Sequence, residues 1–220
     1  MTATALNQIK PATWQLTLGS EGIAAAQFAR CGLDVSVQSG RDKPWYDLVV
    51  AKAGNLLKVS VKGSDDGQWA LVQSYMKRAA GSTHGKKDFH EAIDQWLDHL
   101  GSRAICCLIQ FHGVALHQLP RIYLASPHEI AETLRVTVNR LGCSILHESY
   151  EWASATEGTL LERLPSNWAF SEQRIQELLT REVARAISQK PLLNGNSPVA
   201  VWPAVPGMQR NNRTGVAVRA

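Results

Sequence analysis

The chain has 220 residues and a mass of 24.2 kDa, enough for one hydrophobic core with an appendage but cramped for two full-sized domains. Hydrophobic residues make up 45% of the chain and charged residues 19%, a balance that excludes an intrinsically disordered protein. Its apolar runs are far shorter than the ~20 residues of a membrane span, and Met1–Gln15 lacks the pattern of a secretory signal. We therefore expect a cytoplasmic protein with no membrane partner.

The net charge of +4 belongs to the carboxyl-terminal segment. Residues 189–220 contain four basic residues and no acidic one, and the rest of the chain balances at 19 basic against 19 acidic residues. Pro, Gly, Asn and Val dominate this segment without any periodicity, which predicts a flexible basic tail. Two interpretations of this tail stay open: it contacts the phosphates of a nucleic acid, or it has no specific role.

The first half of the sequence predicts a helix followed by strands. Apolar residues at helical spacing before Gly32 predict a helix over Leu18–Arg30. Short runs of β-forming residues between turn signals predict four strands, at Asp34–Gln38, Tyr46–Ala51, Leu56–Val61 and Trp69–Tyr75. The tight connection at Ala53–Asn55 should make the second and third strands antiparallel neighbours.

The second half mixes helices and strands. We predict helices at Asp88–Leu100, from the Ser126 cap to Leu141, and at Ser171–Ser188, and strands at Arg103–Phe111, Arg121–Ala125 and Ile145–Trp152. Ser126, Pro127 and Glu129 form the pattern of a capping box with proline in the first turn. The order of elements predicts one α/β domain over residues 14–188 with a mainly antiparallel central sheet.

Several classes of site have no support in the sequence. None of the four cysteines (Cys31, Cys106, Cys107, Cys143) belongs to a CxxC pair, and neighbours on a strand point to opposite faces, so we expect buried free thiols. The histidine spacings do not match a helical zinc pair, and no nucleotide-binding loop or hydrolase elbow is present, so we expect no nucleotide cofactor. Tryptophans 45, 69 and 96 are expected in the core or at sheet edges rather than as base-stacking platforms.

The informative stretch runs from Glu21 to Lys62. Asp47 lies at the start of a predicted strand, and on the next strand residues 58, 60 and 62 share a face by two-residue alternation. Antiparallel pairing should bring Asp47 near Ser60 and Lys62, with its carboxylate within roughly 8 Å of the lysine nitrogen, a distance that one metal and its waters can bridge. Glu21 lies on the preceding helix, which should pack over this sheet and face the same space.

This pattern resembles the PD-(D/E)xK nuclease superfamily, in particular its bacterial subgroup similar to group I intron homing endonucleases and archaeal Holliday-junction resolvases. The matching segments are Gly19–Gly22, Tyr46–Val50 and Val59–Gly63, with a weaker continuation through Leu108–Phe111 and Arg121–Leu124 to Glu129. The resemblance implies a restriction-endonuclease-like α/β fold with a mixed central sheet flanked by helices. It also implies hydrolysis of DNA phosphodiester bonds and, because cutting two strands with one site per chain usually takes two chains, a homodimer.

The resemblance also implies residue roles. Asp47 would be the principal ligand of Mg²⁺ or Mn²⁺, the carbonyl of Val61 would be a second ligand, and Glu21 would bind directly or through water. Lys62 would orient the attacking water and neutralise phosphate charge. Ser60 stands where the family usually has Glu, Asp or Gln. Its neutral hydroxyl would replace that metal ligand only weakly, through a water, so we expect weak metal binding.

Three interpretations stay open from the sequence. The first is a metal-dependent deoxyribonuclease, with Asp65, Asp66 or Gln73 as weak substitutes for the missing ligand, although the two aspartates are most simply turn formers. The second is a catalytically decayed nuclease fold that binds DNA or protein. The third is an unrelated α/β binding module, which separation of Glu21, Asp47 and Lys62 would favour.

Overall fold

The structure, a computed structural model, describes residues 12–39, 44–76, 84–101, 103–154 and 158–188. Its helices are α1 (Thr13–Arg30), α2 (Lys86–Leu100), α3 (Pro127–Leu141) and α4 (Glu172–Ser188). Its strands are β1 (Asp34–Val37), β2 (Leu48–Lys52), β3 (Asn55–Ser64), β4 (Gln68–Trp69), β5 (Ala104–Gln110), β6 (Arg121–Ala125), β7 (Leu146–His147), β8 (Ser149–Ser154) and β9 (Gly158–Arg163). The predicted tail at 189–220 lies outside the described residues.

A central sheet of five strands organises the fold. The strand order is β1-β2-β3-β5-β6, and β3 lies in the middle. The neighbours β1 and β2, β2 and β3, and β5 and β6 are antiparallel, whereas β3 and β5 are parallel. The predicted α/β fold with a mixed and mainly antiparallel sheet flanked by helices is therefore confirmed.

Two hydrophobic cores cover the two faces of this sheet. One core joins α1 and α4 to the sheet, with Phe28, Val59 and Leu178 among its buried members. The other joins α2 and α3 to the opposite face. Cys106 belongs to the second core and Cys107 to the first, as the alternation of side chains along β5 requires. Both thiols are buried and all four cysteines are free.

Local sequence signals set the positions of the main elements. Ala53 and Gly54 both have positive φ, at 51° and 80°, and two such residues make the tight hairpin that pairs β2 with β3. The Ser126 hydroxyl accepts a hydrogen bond from the Glu129 N–H, and the Glu129 carboxylate accepts one from the Ser126 N–H. This capping box starts α3 where the sequence predicts.

The structure corrects two of the predicted strands. Of the predicted strand Trp69–Tyr75, only Trp69 belongs to a strand, and Gln73–Tyr75 forms a 3₁₀ turn. The reason is that Leu71 and Val72 are buried against the α2 core instead of joining the sheet. The predicted strand Ile145–Trp152 divides into β7 and β8 at Glu148, whose N–H donates to the carbonyl of Gly67. The partner of β8 is β9, which the sequence analysis missed.

A buried arginine and its ion pairs hold α4 against the sheet and α3. Arg174 is 3% exposed, and its guanidinium donates to the carbonyl of Leu124 at 3.1 Å and to the Glu129 carboxylate at 2.7 Å. Arg181 binds the other oxygen of the same carboxylate at 2.7 Å. Burial acts to raise the pKa of Glu129, but hydrogen bonds from Arg174 and Arg181 outweigh it and hold the pKa at about 2.

Among the helices that the structure describes, none is long and apolar enough to cross a membrane.

Candidate functional site

Asp47 is a buried carboxylate at the edge where β2 begins. It is 8% exposed, and it directly precedes Leu48, the first residue of β2, which pairs with Val59. The Asp47 N–H donates to the carbonyl of Val59 at 2.8 Å, and its Oδ2 accepts the N–H of Val61 at 2.6 Å. One hydrogen bond therefore holds the main chain of Asp47 and the other holds its carboxylate, both against β3.

The direction of the β3 backbone explains why Asp47 contacts Val61. Alternate residues of β3 bind β5, since the Lys58 N–H donates to Arg103 and the Ser64 carbonyl accepts from Phe111. Val61 is out of phase with Lys58 and Ser64, so its backbone groups point to the opposite edge of the strand. The Val61 carbonyl and the Asp47 carboxylate consequently lie along the same edge, where the pairing with β2 has ended.

Lys62 is exposed, and its backbone is held on two sides. The indole Nε1 of Trp69 donates to the Lys62 carbonyl at 3.0 Å. On the other side, Gly63 lies directly against α1: a Cβ atom at Gly63 would come within 2.1 Å of the Ser20 Oγ. The lysine side chain therefore projects to solvent from a segment whose main chain is fixed.

Glu21 lies on the turn of α1 that crosses β3. The close approach of Ser20 to Gly63 places this turn of the helix against the main chain of β3. Glu21 itself is partly exposed, and it borders a surface depression of about 750 Å³ together with Trp14 and Leu18. This turn of α1 packs on the sheet face of Val59 and Val61, whereas Lys62 alternates with them and faces the other side. The role of the Glu21 carboxylate as a metal ligand stays a prediction.

Ser60 is 2% exposed and stands beside Cys106 on the parallel strand β5. Burial raises the pKa of the Cys106 thiol to about 12, and the charge of Lys62 lowers it while the charge of Asp47 raises it. Both charged side chains therefore lie within electrostatic reach of the sulfur next to Ser60. The Ser60 hydroxyl, at the position where the predicted pattern has a carboxylate, is buried and adds no charge.

The proposed substitutes for a missing ligand have other partners. The Asp66 carboxylate accepts hydrogen bonds from the Ser64 hydroxyl and from Gln68; burial acts to raise its pKa, but these bonds outweigh it and leave the pKa below its usual value. Gln73 donates to the Ser144 carbonyl at 3.1 Å and accepts from the Val72 N–H. Asp66 thus behaves as a turn former and Gln73 as a link between loops.

The donor set suits a hard cation in type but supplies little charge. Mg²⁺ prefers oxygen ligands and keeps several of its waters, so one carboxylate and one carbonyl along a strand edge form a minimal platform. In the part of the chain that the structure describes, no group of three or more His, Cys, Asp or Glu side chains is arranged to hold a metal ion. The residues fit a weakly held Mg²⁺ or Mn²⁺ that depends mainly on Asp47.

Two supporting contacts were missed by the sequence analysis. The first is the hydrogen bond from Trp69 to Lys62, which no local pattern indicates because it joins residues across a turn. The second is the packing of Ser20 on Gly63, for which the glycine inside a strand is a usable signal, since such a glycine often marks a close approach of another backbone.

The similarities of this chain to known proteins are structural. No protein-family model and no curated protein sequence matches this chain. The solved structure of a bacterial homing endonuclease, I-Ssp6803I, is similar with a TM-score of 0.42 and 15% sequence identity, over 80% of this chain and 99% of that chain. At this TM-score the similarity gives no support to a function.

Proposed function

We propose that this protein is a metal-dependent endonuclease that hydrolyses DNA phosphodiester bonds at the edge of β3. The observation that carries the proposal is the Asp47 carboxylate, buried and bound to the Val61 N–H at 2.6 Å beside the exposed Lys62. This is the arrangement that the PD-(D/E)xK pattern of the sequence implies. A buried carboxylate held at a strand edge next to a solvent-facing lysine suits a cation and a phosphate together.

The residues have separate tasks in this proposal. Asp47 and the Val61 carbonyl hold Mg²⁺ or Mn²⁺, and Glu21 adds a ligand directly or through a water. The bound metal supplies charge stabilisation at the phosphate and a lower pKa for a water ligand. Lys62 places its ammonium against the phosphate and orients the attacking water, while Trp69 and Ser20 fix the main chain that carries this lysine.

The neutral Ser60 determines how tightly the metal is held. Metal affinity of an oxygen site depends on the number of charged ligands, and Ser60 contributes none. We therefore expect weak Mg²⁺ binding and better use of Mn²⁺, which sites of this kind bind more tightly. Replacement of Ser60 by Glu would return a carboxylate to the position beside Asp47.

The proposal is tested by nicking of supercoiled DNA in Mg²⁺ or Mn²⁺ with four proteins and one control variant. We expect cleavage by the natural chain, none by Asp47→Ala, strongly reduced cleavage by Lys62→Met, and increased metal affinity in Ser60→Glu. Glu151→Gln serves as a matched control because Glu151 is an exposed acidic residue on β8, away from β3. Cleavage that survives Asp47→Ala would contradict the proposal.

A second function is favoured by one observation, the buried and neutral Ser60. A nuclease fold that has lost this charge would bind DNA or protein without cutting. The same assay separates the two functions: no cleavage by the natural chain with recovery in Ser60→Glu indicates a decayed nuclease. If neither the natural chain nor any variant cleaves DNA, and circular dichroism shows that the proteins are folded, the result indicates a binding module.

The proposal carries three further expectations from the sequence. The partner is DNA, the working unit is a homodimer, and the protein acts in the cytoplasm. The dimer follows from the need for two sites to cut both strands, and sedimentation equilibrium of the full chain tests it. A monomer at micromolar concentration that still makes double-strand breaks would contradict the dimer.

A further inference from the structure

Four rings from three separate elements form a continuous row beside Asp47. Trp45 and Tyr46 immediately precede Asp47, and their ring centroids lie 5.2 Å apart. Trp45 lies 6.5 Å from the imidazole of His99 at the end of α2, and this imidazole lies 5.8 Å from the ring of Tyr75. We call these four residues the aromatic wall.

A lysine is held over the faces of two of these rings. The Lys58 Nζ lies 5.6 Å from the centroid of Trp45 and 5.2 Å from that of Tyr46, within the range of a cation–π interaction. Lys58 is two residues before Ser60 and four before Lys62 on β3. At about 3.3 Å per residue, Lys58 lies roughly 7 Å from Ser60 and roughly 13 Å from Lys62 along the strand.

The aromatic wall differs from the buried tryptophans of this protein. Trp69 and Trp96 are 2% and 5% exposed and belong to the core, as the sequence analysis predicts. Trp45, Tyr46 and Tyr75 are only half-buried, and His99 is exposed. Core packing explains the inner edges of these rings but leaves their outer parts in contact with solvent, beside a cation and the proposed phosphate site.

The sheet surface next to the wall is open and polar. Ser36, Val49 and Lys58 are directly paired across β1, β2 and β3, so they form one row on a single face of the sheet. Ser36 is exposed, and Val49 and Lys58 are half-buried. A flat ligand that stacks on the wall would therefore have room above this row and a cation within reach.

We propose that the aromatic wall and Lys58 bind an unstacked base and its phosphate, so that the DNA acted on at Asp47 is single-stranded or unpaired at that nucleotide. This inference deepens the proposed nuclease function and rests on it. Bases inside a duplex have both faces covered by their neighbours, and only an unpaired base can offer a face to a protein ring. Stacking on aromatic side chains next to basic residues is a sequence-tolerant way to bind such a strand.

The test measures binding without cleavage, in EDTA, by fluorescence anisotropy. The probes are a labelled 20-nucleotide single strand, its fully paired duplex, and an RNA strand of the same sequence. We expect the natural chain to bind the DNA single strand more tightly than the duplex or the RNA. His99→Ala and Tyr75→Leu should each weaken single-strand binding by about 5- to 100-fold, the range for losing one stacked base, with little effect on the duplex. Lys58→Gln should lower the salt dependence by about one charge.

The control is Trp14→Ala, which removes an aromatic side chain that is 66% exposed on α1. Because His99 is exposed, its substitution should leave the fold intact, which circular dichroism checks. Equal affinity for single strand and duplex, preference for the RNA, or wall variants that behave like Trp14→Ala would overturn the inference. If the protein cuts no DNA but its single-strand binding depends on the aromatic wall, the binding inference stands and the nuclease proposal is wrong. If the protein cuts duplex DNA and needs Asp47 but not the aromatic wall, the nuclease proposal stands and the binding inference is wrong.

Discussion

The contact between α1 and β3 at Gly63 can be tested by adding one methyl group. A Cβ atom at Gly63 would lie 2.1 Å from the Ser20 Oγ and 3.2 Å from both the Ser20 Cβ and the Leu16 Cγ. The first distance is impossible without movement, and the other two are tighter than normal packing. Overpacking of this kind typically costs 1–3 kcal/mol, so we expect Gly63→Ala to lower the free energy of unfolding by about 2 kcal/mol.

The partner variant Ser20→Ala separates this clash from other effects. The Ser20 hydroxyl donates to the Leu16 carbonyl within the helix, a bond whose removal should change stability by less than about 0.5 kcal/mol. In the double variant the 2.1 Å clash is gone, whereas the contacts of about 3.2 Å remain. We therefore expect the double variant to recover about 1 kcal/mol relative to the sum of the two single changes.

Urea denaturation followed by tryptophan fluorescence gives these free energies for all four proteins of the cycle. A thermal scan should show the Gly63→Ala protein melting roughly 4–8 °C below the natural chain. A Gly63→Ala protein within about 0.5 kcal/mol of the natural chain, or a cycle with no coupling, would refute the packing of α1 at this point. The position of the Ser20–Glu21 turn against the main chain of β3 would then lose its support.

Three other predictions concern separate parts of the molecule. Asp47→Ala should lower the free energy of unfolding by about 2 kcal/mol, because it leaves the buried Val61 N–H without an acceptor. Asp47→Asn retains an oxygen and should lower it by under about 1 kcal/mol. Equal losses for the two variants in urea denaturation would contradict the bond to Val61. The pKa of Glu129 is lowered from 4.5 to about 2, so its stabilisation of up to roughly 3 kcal/mol is complete above pH 4.5 and disappears as the pH falls toward 2. Glu129→Gln should remove this part of the acid dependence, and an unchanged pH profile of unfolding would contradict it. Burial raises the pKa of the Cys106 and Cys107 thiols, so a thiol reagent at pH 8 should label at most Cys31 and Cys143 in the folded protein, and labelling of all four would be incompatible with the buried β5.

The fold was predictable where local chemistry decides the structure. The capping box at Ser126, the left-handed turn at Gly54 and the alternating valines of β3 each specify an element with little help from the rest of the chain. Because the hairpin turn also sets the pairing of β2 with β3, the sequence was sufficient to predict that Asp47 lies next to the second half of β3.

The errors come from residues whose roles depend on distant partners. The run after Trp69 has the composition of a strand, but burial of Leu71 and Val72 against α2 takes it out of the sheet. The aromatic wall was not predicted for the same reason: Trp45, Tyr75 and His99 come from three elements, and no local pattern indicates that these elements meet. Tertiary packing, and not propensity, decides these positions.

The most direct test of the central claim is where a metal ion binds. We expect a crystal of the full chain soaked in Mn²⁺ to show an anomalous peak within coordination distance of an Asp47 carboxylate oxygen and the Val61 carbonyl, and no such peak in a crystal of Asp47→Asn. A Mn²⁺ ion bound elsewhere in both crystals, or bound at the β3 edge with equal occupancy after the substitution, would contradict the claim that Asp47 anchors a metal site.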